Sequence, residues 1–163
     1  MIRAKLPVHP WFGCPLYCQG EKYHNVLQEH GGWTMRDVVF AMELRGRGAP
    51  VEGSPNTLTA RTGGRGPHGE TVAFESRVVL SGETFNETGS IDYSGYGKIT
   101  FETVGTGHLG PSPLPGLQWG AVIWRITAGD GTFAGATGYI TSNFTVSTEG
   151  EVVDNHYVRM VLP

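Results

Sequence analysis

Between Ala128 and Ser147 the chain reads AGDGTFAGATGYITSNFTVS, a strand-forming sequence interrupted by Gly129, Gly131, Gly135 and Gly138. Glycine lets a backbone turn, kink or pass close to a neighbour without a side chain in the way. Clustered this densely ahead of an alternating aromatic and β-branched run, the glycines predict a strand that bends hard on entry. That is the corner chemistry of a small, tightly closed barrel.

The rest of the chain repeats the theme. From Met35 onward RDVVFAMELRGRG, TVAFESRVVLSG, GSIDYSGYGKITFETVG, LQWGAVIWRIT and EVVDNHYVRMVLP are strands or hairpins separated by Gly, Pro, Ser or Asp turns. No spacer between them has room for the crossover helices of a parallel sheet. The predicted fold is therefore all-β: a closed antiparallel barrel of about eight strands in up-and-down order, spanning residues 35–163. Residues 46–70 carry many Gly and Pro and are expected to be mostly loop, and the Pro-rich GHLGPSPLPG is expected to form a mouth loop. Residues 1–34 lack a clean period and read as an amino-terminal arm or lid. With 163 residues, 39% of them hydrophobic, the chain can fill one core without staples.

The formal net charge is -3 and no run of Lys or Arg occurs, which excludes an electrostatic footprint for nucleic acid or acidic lipid. No stretch approaches the ~20 apolar residues of a spanning helix, and MIRAKLPVHPWFG lacks the apolar run and cleavage site of a signal peptide, so a cytoplasmic protein that binds no membrane is expected. Cys14 and Cys18 match neither a redox motif nor a disulfide framework. With His9, His24 and His30 they offer five N and S atoms for a metal, but at spacings no common zinc site uses, so no cofactor is expected. In LQWGAVIWRIT both faces are apolar, Trp119, Ala121 and Ile123 alternating with Gly120, Val122 and Trp124. Such a strand is covered on its outside too, by another subunit of a homo-oligomer (trimer or dimer) or by the chain's own arm.

The string from Gly129 to Tyr139, GDGTFAGATGY, resembles the glycine-rich segment of the dirigent proteins and allene oxide cyclases, where a G-x-G-x-F-x-x-A-x-G-Y-like run joins two late strands. With the following strand and Glu151 to Pro163 it covers about a fifth of the chain. The resemblance implies an eight-stranded antiparallel barrel, commonly a trimer, whose central pocket holds a reactive hydrophobic compound and steers its cyclisation or coupling without a cofactor. The aromatic, Cys-containing first third has no counterpart in those families, and their catalytic positions find no match here residue by residue.

Strand alternation says which polar side chains share a face. Glu43 pairs with Arg45, Glu75 with Arg77, Arg125 lies on the face of Trp119, and Asn143 on that of Tyr139. If these faces point inward, Glu43 or Glu75 in an apolar cavity becomes a general acid or base. Arg77 or Arg125 then neutralises developing oxygen charge, while Trp119, Trp124, Tyr139 and Asn143 shape the substrate space. The bland alternative is that Glu-x-Arg pairs decorate an exposed face. In the last strand Asp154 and His156 point the same way, an imidazole oriented by a carboxylate and a credible proton shuttle. The expected function is a cofactor-independent lyase, isomerase or cyclase acting on a small hydrophobic oxygenated or aromatic compound. The alternative is a lipocalin-like carrier or dirigent-type binding protein. Convergence of titratable groups inside the barrel favours the enzyme; an apolar interior favours the carrier.

Overall fold

The computed structural model describes residues 35–163; the arm expected over residues 1–34, with Cys14, Cys18, His9, His24 and His30, lies outside the described residues. Nine strands follow one another: β1 (Arg36–Val51), β2 (Ser54–Arg65), β3 (Thr71–Ser81), β4 (Thr84–Tyr93), β5 (Gly97–Thr103), β6 (Gly107–Pro111), β7 (Leu117–Gly129), β8 (Thr137–Ser147) and β9 (Glu151–Leu162). All pairings are antiparallel, and contacts of β3 with β4 and of β1 with β9 close the sheet on itself. The result is the predicted closed barrel of eight strands, with one strand position shared by two short segments. β5 and β6 both lie between β4 and β7: β5 pairs with Thr88–Tyr93 of β4, β6 with Thr84 and Phe85.

Two expected loops are strands instead. Residues 46–70 hold the end of β1 and all of β2, because Gly46 is a point of close approach and not a break: a Cβ there would lie 2.1 Å from the Arg61 carbonyl oxygen. The first half of GHLGPSPLPG is β6, His108 opposing Ala121 and Pro111 opposing Gln118; only residues 112–116 remain loop. Pro111 is the last residue of that strand, where the missing N–H matters least. The glycine-rich entry to β8 behaves as its sequence predicts. A single 3₁₀ turn (Gly131–Phe133) carries the chain round, and Gly138 takes a φ of +143° where a Cβ would stand 2.2 Å from the Arg159 carbonyl oxygen.

Alternation fills the barrel. Leu44, Ile91, Ile99, Ile140, Val158 and Met160 are fully buried around its middle, each worth roughly 1.5–3 kcal/mol of burial. Phe74, Phe101 and Trp124 pack together there, with ring centroids 4.5–5.6 Å apart. One end is plugged by Phe40, Tyr93 and Phe133, whose rings meet at 6.0 and 5.1 Å. Among the described residues, the other end stays open.

Candidate functional site

In β9 the even-numbered residues from Val152 to Leu162 are all buried, so Asp154 and His156 enter the interior on the same face as Val158 and Met160. The two residues are 4% and 2% exposed, and their side chains bond directly: His156 Nε2 lies 2.8 Å from Asp154 Oδ2. Ser142 on β8 stands opposite His156 in register and donates its hydroxyl to Asp154 Oδ1 at 2.6 Å. Both carboxylate oxygens are thus held by donors. The imidazole is fixed edge-on against Trp124 and Phe74, at 5.1 and 5.5 Å between ring centroids. Its Nδ1 is buried and meets no partner among the described residues. That arrangement suits the tautomer with its proton on Nε2, which leaves only an acceptor unsatisfied and no stranded donor.

Glu87 comes from β4, at the place where its neighbour changes from β6 to β5. The break in the ladder is patched by Thr103, whose Oγ1 accepts the Glu87 N–H at 2.8 Å and donates to the Glu87 carbonyl at 3.0 Å. The side chain turns inward with Phe85, Ile91 and Tyr93 and is 6% exposed. Burial pushes its carboxyl up to about 7, and the negative charge of Asp154 adds to the rise. Ser76 and the Trp124 indole N–H lower it in part from nearby, although neither Ser76 Oγ nor Trp124 Nε1 reaches good hydrogen-bond geometry.

Glu87 and Asp154 line one cavity at the open end of the barrel, of about 660 Å³ with its mouth included. Leu58, Val78, Leu80, Phe85, Phe144 and Val152 supply apolar walls, and Thr62 and Gln118 the remaining polar side chains. No Lys, Arg or His among the described residues lines it. An apolar cleft with a few convergent polar groups is the usual form of a small-molecule site, and a carboxyl held near neutrality can pass a proton either way.

The sequence-predicted residues divide sharply between inside and outside. Glu43 pairs with Arg45 at 2.8 Å and Glu75 with Arg61 at 3.2 Å, all four well exposed on the outer face. Arg77 shares an outer groove with Glu75, and Arg125 Nε donates to Glu102 across the exterior at 2.7 Å. Trp119 (55% exposed), Tyr139 (58%) and Asn143 also face out. The physical reason is the same on every strand. Alternation ties residues two apart to one face but leaves that face unassigned, and the intervening Leu44, Phe74, Val122, Trp124, Ile140 and Ser142 take the interior. Of the predicted residues only His156 and Trp124 are inside, and neither lines the cavity: they lie behind Asp154 and Glu87. His156 meets the cavity only through Asp154, whose carboxylate it holds. Glu87 was missed. Its signal was the shared face with Phe85, Ile91 and Tyr93, which marks a carboxyl inside an apolar strand face.

Among the described residues no group of three or more His, Cys, Asp and Glu side chains is arranged to hold a metal ion. Compared with family models, curated proteins and solved structures, the chain matches none.

Proposed function

We propose that this barrel is a cofactor-independent acid–base enzyme, a lyase, isomerase or cyclase that moves a proton on a small hydrophobic molecule held in the open-ended cavity. The observation that carries the reading is the convergence of Glu87 and Asp154 on one apolar cavity, with Glu87 held near neutral pH by burial and by its neighbour's charge. A carrier of a neutral apolar ligand has no use for two buried carboxyls, each of which costs stability to keep dry. In this mechanism Glu87 takes or gives the proton, Asp154 bears the complementary charge, and Ser142 and His156 fix the Asp154 carboxylate. The reading is in keeping with the dirigent and allene oxide cyclase resemblance only at the level of a barrel with a central pocket. It also has the barrel assemble with copies of itself through the outer face of β7, where Trp119 and Ile123 stand exposed.

Exchange of α-hydrogens in cyclohexanone, followed by NMR in D₂O, tests the proton transfer directly. The base removes the α-proton, the enol forms, and return of a solvent deuteron restores the ketone. The expected result is exchange that quickens as pH rises through about 7. Glu87→Gln should slow it at least about 100-fold, the usual worth of a positioned base. Equal exchange in Glu87→Gln, or none above buffer while cyclohexanone demonstrably binds, would overturn the enzyme in favour of the carrier.

A further inference from the structure

We propose that the cavity receives a compact apolar molecule bearing a protonated amine, with the ammonium group held by Asp154, Glu87 and Thr62. The inference rests on reading this cavity as the functional site and names the chemistry of what enters it. Its first support is charge. Two carboxyl side chains line the cavity and, among the described residues, no cationic side chain does. The Asp154 oxygens are occupied by Ser142 Oγ and His156 Nε2, and the buried Nδ1 of His156 has no acceptor for a second ring proton, so the described wall offers no Lys or Arg to balance a carboxylate charge. Buried charges in proteins are normally paired, and here the open side of the pair faces the cavity.

The second support is independent of the acids. Thr62 lines the same cavity, is only 7% exposed, and its Oγ1 has no hydrogen-bond partner among the described residues. An ammonium group has three N–H donors and no acceptor, which matches two carboxyls and a hydroxyl oxygen that is buried without a partner. Phe74, Phe85 and Phe144 complete the walls, and aromatic faces attract a cation. An alcohol would find hydrogen bonds here but leave the carboxylate unbalanced, and a carboxylate ligand would add a third negative group. Binding has a chemical consequence as well. A cation between Asp154 and Glu87 favours the ionised form of Glu87 against the burial that keeps it protonated, so binding moves Glu87 toward the base that the proposed reaction needs.

Isothermal titration of the full chain at pH 7 with hexylamine, hexan-1-ol and hexanoate, which share one skeleton and differ in charge, tests the inference. Hexylamine is expected to bind at least tenfold tighter than hexanol, with hexanoate weakest. Asp154→Asn should lower hexylamine affinity tenfold or more while leaving hexanol unchanged, and Leu80→Trp, which fills the mouth, should abolish both. The comparison among the three ligands needs no variant, so a failure of Asp154→Asn to fold does not affect it. Hexylamine binding that survives Leu80→Trp would lie on the outer acidic groups and overturn the inference. Hexanol or hexanoate binding as tightly as the amine, yet lost in Leu80→Trp, would overturn the amine and leave the cavity standing as the site. Absence of binding by all three would overturn the amine, and the cyclohexanone exchange then decides the proton-transfer reading separately.

Discussion

Glu87→Gln should make this protein more stable at pH 8 and change it little at pH 4. The wild-type carboxyl rises from 4.5 in the unfolded chain to about 7 in the barrel, so the folded state binds a proton more tightly than the unfolded state. Stability linked to this group is therefore fully present below pH 4.5 and is lost as pH climbs through 7. At about 1.4 kcal/mol for each pH unit between those two values, the loss approaches ~3 kcal/mol by pH 8. Glutamine keeps the shape, cannot ionise, and feels none of it. The assay is urea unfolding of both proteins at half-unit steps from pH 4 to 8, with the difference in unfolding free energy plotted against pH. Subtraction removes the titration of every group that does not interact with Glu87. The difference should be flat below about pH 4.5, climb to ~3 kcal/mol in favour of the Glu87→Gln variant, and level off above about 7. A difference that stays constant across the range would mean that Glu87 titrates alike in the folded and unfolded chains. The acid–base proposal would then lose its main support.

His156→Ala removes a fully buried ring and one of the two donors to a buried carboxylate, so a loss of about 3–5 kcal/mol in chemical denaturation is expected. Ser142→Ala should cost about 1–3 kcal/mol by the same measurement, since it strands Asp154 Oδ1 without its donor. Gly138→Val, forced to a φ of +143° against the Arg159 carbonyl, should give insoluble or unfolded protein; a soluble variant with unshifted melting would refute the corner assignment. Ile123→Glu on the exposed face of β7 should convert an assembly to single chains in sedimentation equilibrium, and an unchanged mass would count against self-association through that face.

The barrel was legible because its evidence is local and repeated: alternation strand after strand, turns between them, and glycines at one corner. The site was not, because it depends on which of two faces turns inward, and a period of two carries no sign. Glu43 and Arg45 or Glu75 and Arg77 share faces as expected, yet both pairs sit outside because Leu44 and Phe74 are the residues that gain by burial. The two carboxyls that reach the cavity share their faces with apolar residues. Glu87 shares its face with Phe85, Ile91 and Tyr93, and Asp154 shares its own with Val152, Val158 and Met160. A charged residue in step with apolar neighbours along a strand must either be tolerated at a cost or serve a purpose, whereas a charged residue in step with other charges is merely solvated. An acidic residue with apolar neighbours on its own strand face, instead of one paired with a base, is the signal that selects Glu87 and Asp154 from the sequence and passes over the outward-facing Glu43, Glu75, Arg77 and Arg125.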